Sequence, residues 1–473
     1  MVHGASSMPM HVAAGSAAAK GSGHVIALYL FLLTLFVPSD FDLVGLNLSA
    51  TRLYVLVAII PASFLWVSGR FEGVRAVDIL LMFHGFWMVV AMVYNHGGER
   101  FAYSGMLFVE LFGGFLIGRA LIRNASDYKR LFKFLIWAIA VLLPFAFYEL
   151  VTDRAIMQDI FRSVLGSSHG NVSHPPRMGF YRVQSVMQHP ILFGVFCSIV
   201  VANAWFIWSY SLPAAVTRAG LALTATFTSL SSGALLASIL QILMIGWGKV
   251  TGGAWKVLAL GVAGLYIFLS FASNRGPVVL LIETLTFNSG TGWTRIHIWR
   301  NGIDDVMRNP IFGIGLNDWT RPFWLTSSVD NFWLLTAMRY GIVGFSFLAA
   351  GVAWHAYKVL TAKGLTAYER QLRVGYMIGL ISLSLSLATV HIWGPPFVLF
   401  LAYIGAGVWF YTRPAPAEGE LEEAQVVSTR RSGDLPLTRA VAAPPDDATR
   451  GDMPFRRPAA RPPERPSRPV RRR

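Results

Sequence analysis

Between residues 25 and 411 the chain alternates apolar runs with short loops that hold many of its lysines and arginines. A bilayer span takes about 20 mostly apolar residues. Runs of that kind lie at 25–43, 53–68, 76–94, 104–120, 131–151, 190–210, 213–230, 233–247, 254–272, 331–357, 374–390 and 395–411. In lipid every backbone N–H and C=O has to be satisfied within its own segment or a closed barrel. Runs of this length predict helices, so the expected fold is an all-α bundle of about a dozen spans. Composition agrees: 54% of residues are hydrophobic and 14% charged, against about 25% charged in soluble proteins. The lone Cys197 sits in an apolar run, which excludes a disulfide framework.

The formal net charge of +15 would suit nucleic acid. Its placement argues against that partner. Arg70/Arg75, Arg119/Arg123/Lys129/Arg130/Lys133, Arg218, Lys249/Lys256 and Lys358/Lys363/Arg370/Arg373 fall in alternate loops, and the loops between them carry few basic residues. Short basic loops face the cytoplasm. Both termini are therefore expected inside, with two long excursions, 152–189 and 273–329, on the outer face. Residues 1–23 read as a cytoplasmic segment. The apolar stretch after them has no small-residue cleavage site and reads as a first span, not a removed signal. Residues 24–411 form the membrane domain. Residues 412–473, rich in Pro, Ala and Arg, cannot bury a core and are expected to be a disordered cytoplasmic tail.

A membrane protein keeps extracytoplasmic chemistry in polar excursions, and residues 294–344 are the most distinctive one here. Trp299, Ile303, Val306 and Met307 recur at helical spacing before an Asn309-Pro310 stop, which predicts an amphipathic interfacial helix. Arg295 and His297 are expected to leave the face that carries Trp299. Phe312-Gly313-Ile314-Gly315-Leu316 predicts a tight turn where backbone can approach a ligand. Asp330-Asn331 precedes an apolar run and offers either a helix cap or a general base. In the earlier excursion, Arg182 precedes His189-Pro190, a helix-start signal. A bundle-facing arginine near lipid calls for an anionic partner, and Arg275 stands in a similar position. Few ionisable residues stand out within the spans: Glu110 is mid-span and Glu149 lies near the outer end of its span. No phosphate-binding loop, metal-ligand spacing or nucleophile elbow occurs. Gly114/Gly118 and Gly375/Gly379 read as helix-packing positions.

Taken in order, these motifs resemble the O-antigen ligase/O-antigen polymerase superfamily of bacterial inner-membrane glycosyltransferases. The carrying residues are Arg182 with His189-Pro190-Ile191-Leu192-Phe193-Gly194, Arg295 with Trp299, the Asn309–Gly315 turn, Asp330-Asn331-Phe332-Trp333-Leu334, and Tyr340-Gly341-Ile342-Val343-Gly344. Two positions depart from the family pattern. Ser231-Ser232-Gly233 stands where many members have Ser-Arg-Gly, and Asp330 where ligases carry His.

The resemblance implies an undecaprenyl-pyrophosphate-linked oligosaccharide donor, an acceptor glycan, membrane lipid as surroundings and a chain-length regulator or export partner. No cofactor or metal is expected, because arginines can neutralise a pyrophosphate. Arg182, Arg295 and Asp330 are the expected catalytic residues. His189, Arg275, Arg300, Asn331 and Trp299 are expected to bind substrate. The departure at Asp330 favours polymerisation of repeat units into exopolysaccharide or O-antigen. Ligation to lipid A core or protein is the alternative, and a glycan or lipid transporter is the rival from another class.

Overall fold

Pro38 sets the first boundary that the sequence misplaces. The first span, expected over 25–43, is helical only to Thr34 (α1, His11–Thr34), and the chain then forms a small antiparallel ribbon. Phe41–Leu43 (β1) pairs with Leu46–Leu48 (β2) in the register Phe41↔Leu48, Asp42↔Asn47 and Leu43↔Leu46. A proline with no N–H, four residues past Thr34, cannot continue a helix ladder. The computed structural model describes residues 11–39, 41–43, 46–166, 172–272, 280 and 289–412, all within one compact unit, Met1–Ala415. Residues 413–473, the expected tail, and Arg275 lie outside the described residues.

The other predicted runs are helices. They are α2 (Ala50–Val67), α3 (Ala76–His96), α4 (Phe101–Phe108) continued through a π-turn (Val109–Gly113) into α5 (Gly114–Leu121), and α6 (Ala125–Thr152). After α7 (Ile156–Leu165) come α8 (Pro190–Ile207), α9 (Leu212–Thr228), α10 (Ser232–Val250) and α11 (Trp255–Ala272). The second excursion carries α12 (Ser289–Arg308), and α13 (Phe332–Leu360), α14 (Ala367–Ser386), α15 (Pro395–Gly405) and α16 (Trp409–Thr412) complete the bundle. Among the described residues nine helical stretches are long and apolar enough to cross a membrane. The remaining predicted runs coincide with the apolar part of α1, Gly23–Thr34, and with α9 and α14. The protein is a polytopic helical membrane bundle.

Local chemistry sets the helix starts. The Ser49 side chain accepts from the Arg52 amide, Asn124 from that of Asp127, and Thr366 with Glu369 forms a capping box. Prolines stand in the first turn of α8, α9 and α15, where a missing N–H costs nothing. α8 is the axis of the bundle, with Leu192, Phe193, Phe196, Cys197 and Val200 almost wholly buried. α9, α14 and α10 pack around it. α11 buries none of its residues and offers an apolar surface to lipid. α5 and α15 cross with backbones in contact, since a Cβ on Gly118 would strike Ala402 and one on Gly405 would strike the Phe115 carbonyl. Gly375 and Gly379 likewise admit Phe206 and Tyr403.

One break in a helix organises the second excursion. Gly341 has φ 71° within α13, a conformation that disfavours any residue with a Cβ. The break frees carbonyls that low-dielectric surroundings require to be bonded. Met338 O accepts from the Ile314 amide at 2.8 Å and Arg339 O from the Gly315 amide at 3.1 Å. Tyr340 O accepts from Trp87 Nε1 at 3.0 Å, and the Ile342 amide donates to Pro310 O at 2.7 Å. The expected glycine turn therefore approaches protein backbone: it is docked on the kink, and the kink fixes Arg339.

Candidate active site

The first excursion returns to the bundle as a pinned strut. Arg177 and Phe180 exchange backbone hydrogen bonds of 2.9 and 3.0 Å across a turn in which Met178 (φ 53°) and Gly179 (φ 82°) are left-handed. Beyond it, the Tyr181 amide donates to Leu150 O and the Val183 amide to Thr228 O. The amides of Gln184 and Ser185 donate to the Glu149 carboxylate, the former at 2.7 Å. Gln158 Nε2 donates to Met187 O at 2.6 Å. Arg182, midway along this strut, is fixed on both sides by backbone bonds. The strut ends at His189, whose Nδ1 accepts from the Ile191 amide at 3.1 Å and caps α8.

The turn between α9 and α10 receives two arginines. Arg177 Nη1 donates to Leu230 O at 2.8 Å, and Arg295 Nη2 to Ser232 Oγ at 3.2 Å. Ser232 is the residue that stands in place of an arginine in the Ser-Ser-Gly departure. Arg295 comes from α12, whose packed face is Ile298, Gly302 and Val306 against Leu334 and Met338 of α13. Ile303 and Met307, expected on that face, are exposed. Arg295 and Trp299 are four residues apart and so share one side of the helix. Both are half-buried, which corrects the expectation that Arg295 leaves the face of Trp299. Buried Asp305 ties the excursion together, accepting from the Thr320 amide at 2.7 Å and from Arg308 at 2.9 Å.

Asp330 sits where these elements meet. It does not cap α13, because Asn331 Oδ1 takes the Leu334 amide at 3.0 Å. Among the described residues no ion pair or hydrogen bond engages its carboxylate, while Arg295, Arg182 and Arg177 all act on it through space. Burial pushes the Asp330 pKa up, and the three guanidinium groups pull against that shift. Burial lowers Arg182 to about 10, with Arg177 adding to the effect and Asp330 opposing it. Arg295 is lowered by burial and steadied by Asp330. Arg182 Nε and Arg295 Nε are buried without a hydrogen-bond partner. All three arginines remain protonated near neutral pH.

Burial lowers His189 to about 3, and His174, Arg182 and Arg177 push it the same way. It is neutral, and with Nδ1 accepting at the cap its proton is on Nε2. The His174 ring meets it edge-on at 4.4 Å. A cavity of about 500 Å³ lies against His189, Asp330, Trp319, Arg339, His391 and Trp393.

The structure thus brings Arg182, Arg295, Asp330 and His189 together. Asn331 gives its side-chain oxygen to the cap, and Trp299 packs against the apolar cluster of Ile298, Val306, Leu334 and Met338 between α12 and α13. Arg300 is exposed and is not among the charges acting on Asp330. Sequence reading missed Arg177, His174 and Arg339. Arg177 carried a usable signal, since Met178-Gly179 marks a tight turn that brings its neighbours back toward Arg182. Arg339 carried one too, as a guanidinium inside the predicted run 331–357, and His174 carried none.

Three arginines thus act on one carboxylate that lines a cavity in a helical membrane bundle. Residues 218–349 match the family model described as O-antigen ligase. The match, over part of the chain, supports the resemblance to the O-antigen ligase/O-antigen polymerase superfamily, whose members are glycosyltransferase-like ligases and polymerases acting on lipid-linked glycans. Comparison with curated proteins gives no match. The matched stretch holds Ser232, Arg295 and Asp330, while Arg177, Arg182 and His189 precede it.

Proposed function

We propose that the protein is a polysaccharide polymerase. It joins undecaprenyl-pyrophosphate-linked oligosaccharide repeats at the periplasmic face of the bacterial inner membrane, with both termini cytoplasmic. The observation that carries this reading is the convergence of Arg177, Arg182 and Arg295 on the unpaired Asp330. An acceptor hydroxyl oxygen attacks the anomeric carbon of the donor, and the bond from that carbon to the pyrophosphate oxygen breaks. The bonding electrons leave with the pyrophosphate, whose growing charge the arginines stabilise through charge-assisted hydrogen bonds. The acceptor's proton passes to Asp330, the group there able to serve as base. His189, neutral and protonated on Nε2, donates a hydrogen bond toward the cavity.

Ligation to lipid A core is the second reading, favoured by the description of the matched family. Full-length protein in proteoliposomes, supplied with a lipid-linked oligosaccharide and run on a gel, decides between them. A ladder of longer glycans is expected. Product that forms only on an added lipid A core acceptor overturns polymerisation in favour of ligation. Translocation without any new glycosidic bond overturns both.

A further inference from the structure

The cavity beside Asp330 shares a wall with another. A second cavity, of about 480 Å³, opens across Leu335, Arg339, His391 and Trp393, and the transfer steps above make no use of it. Its volume lies in the ~300–1,000 Å³ range of sites for small organic ligands. Glu110 reaches it from the π-turn, a helix irregularity that recurs at functional sites, and is bound there to Arg52 at 2.7 Å. Those two charges cancel. Arg339 has no carboxylate at ion-pair distance among the described residues. Arg339 meets the Tyr340 side chain, but a guanidinium among membrane helices is costly unless an anion faces it, and among the described residues this positive charge has no anion opposite it. Tyr103 and Trp393 add aromatic surface on which a pyranose ring can pack, and Gln188 and Thr336 add hydrogen-bonding groups.

We propose that this second cavity is the acceptor subsite, and that it takes a terminal sugar bearing a carboxylate, with Arg339 as the anion's partner. The Arg52–Glu110 pair offers donors and an acceptor to the sugar hydroxyls. The common wall sets this subsite beside the cavity that Asp330 lines. The inference rests on the glycosyltransferase reading for the role of the bound sugar, and its chemistry is testable without turnover.

The test uses full-length protein in phosphatidylcholine nanodiscs, titrated with octyl β-glucuronide and octyl β-glucoside below their micelle-forming concentrations. Glucuronide is expected to bind at least tenfold more tightly than glucoside. R339Q should abolish that preference, R339K should keep part of it, and R295Q should leave it intact. Equal binding of the two glycosides, a preference that survives R339Q, or one lost in R295Q alone overturns the proposal. Displacement of the glucuronide by phosphatidylglycerol in the discs assigns the anion site to a lipid headgroup and also overturns it. A photoreactive diazirine glucuronide on the wild-type protein covers the case in which R339Q does not fold. Label is expected in peptides spanning 103–110 or 335–340, and label confined to 312–330 overturns the assignment. Loss of polymer synthesis with the preference intact would strike the polymerase reading alone.

Discussion

The Glu149 carboxylate receives the backbone amides of Gln184 and Ser185, and Ser185 is held in a left-handed conformation to make this fit (φ 53°). Successive amides converging on one anion form a nest. Here the anion is internal, and it fixes the backbone two residues beyond Arg182. Hydrogen bonds to a charged acceptor contribute about 1.5–3 kcal/mol each. E149Q keeps the shape but turns an accepting oxygen into a donor facing donors. It should cost about 2–3 kcal/mol of stability and lower kcat about 100-fold through misplaced Arg182, with KM changed far less. A wild-type kcat in E149Q would remove Glu149 from the positioning of Arg182.

Asp330 and Asn331 divide two tasks that the sequence left merged. With the cap on Asn331, N331A should cost about 1 kcal/mol and retain measurable turnover. D330N leaves the cap in place, so its stability should stay within about 0.5 kcal/mol of wild type, while turnover falls at least ~100-fold. Thermal unfolding and polymer yield on the same preparations separate the two effects. Loss of stability in D330N would return Asp330 to a structural role.

The pH dependence has a definite sign. Burial raises the Asp330 pKa above the ordinary carboxylate value, against three arginines that lower it. The base works only when ionised, so kcat/KM should fall on the acid side with a midpoint above ~3.9, the usual Asp value. R182Q removes one lowering charge and should move that midpoint further up. The stability contribution runs the other way. Between the unfolded and the raised folded pKa the native state binds more protons, so stability declines as pH rises through that window. D330N should abolish this decline. An acid limb that stays put in R182Q would separate Arg182 from Asp330.

Much of the architecture was legible because lipid leaves few options. Long apolar runs had to be helices, and proline and glycine marked their starts and close crossings. Arg182, Arg295 and Asp330 were legible because charge beside apolar runs stands out. What the sequence could not supply was direction. The inward face of α12 depends on Gly302 admitting Leu334 and Met338, a packing fact with no periodic signature in a helix whose exposed side also carries Ile303 and Met307. Arg339 stands out as a charge within an apolar run, but the sequence does not show that it lines both cavities beside the kink at Gly341. The first span was overread because Phe41 and Leu43, which belong to a strand, continue its apolar composition past Pro38.

Gly341 supplies the strictest test of the architecture. Its φ of 71° disfavours a Cβ by about 1–2 kcal/mol, and a Cβ there would also collide with the carbonyls of Ile311 and Pro310. G341A must either straighten α13 or push the 309–316 turn away. Either movement breaks the bonds from the Ile314 and Gly315 amides and shifts Arg339. The variant should lose more than ~2 kcal/mol and, where protein survives, lose polymerisation. Gly220 is the matched control: it lies in α9 with nothing near its would-be Cβ, so G220A should be neutral or stabilising by up to about 1 kcal/mol. Thermal unfolding of both variants in one detergent makes the comparison. Equal midpoints would mean that the kink does not hold the second excursion against the bundle.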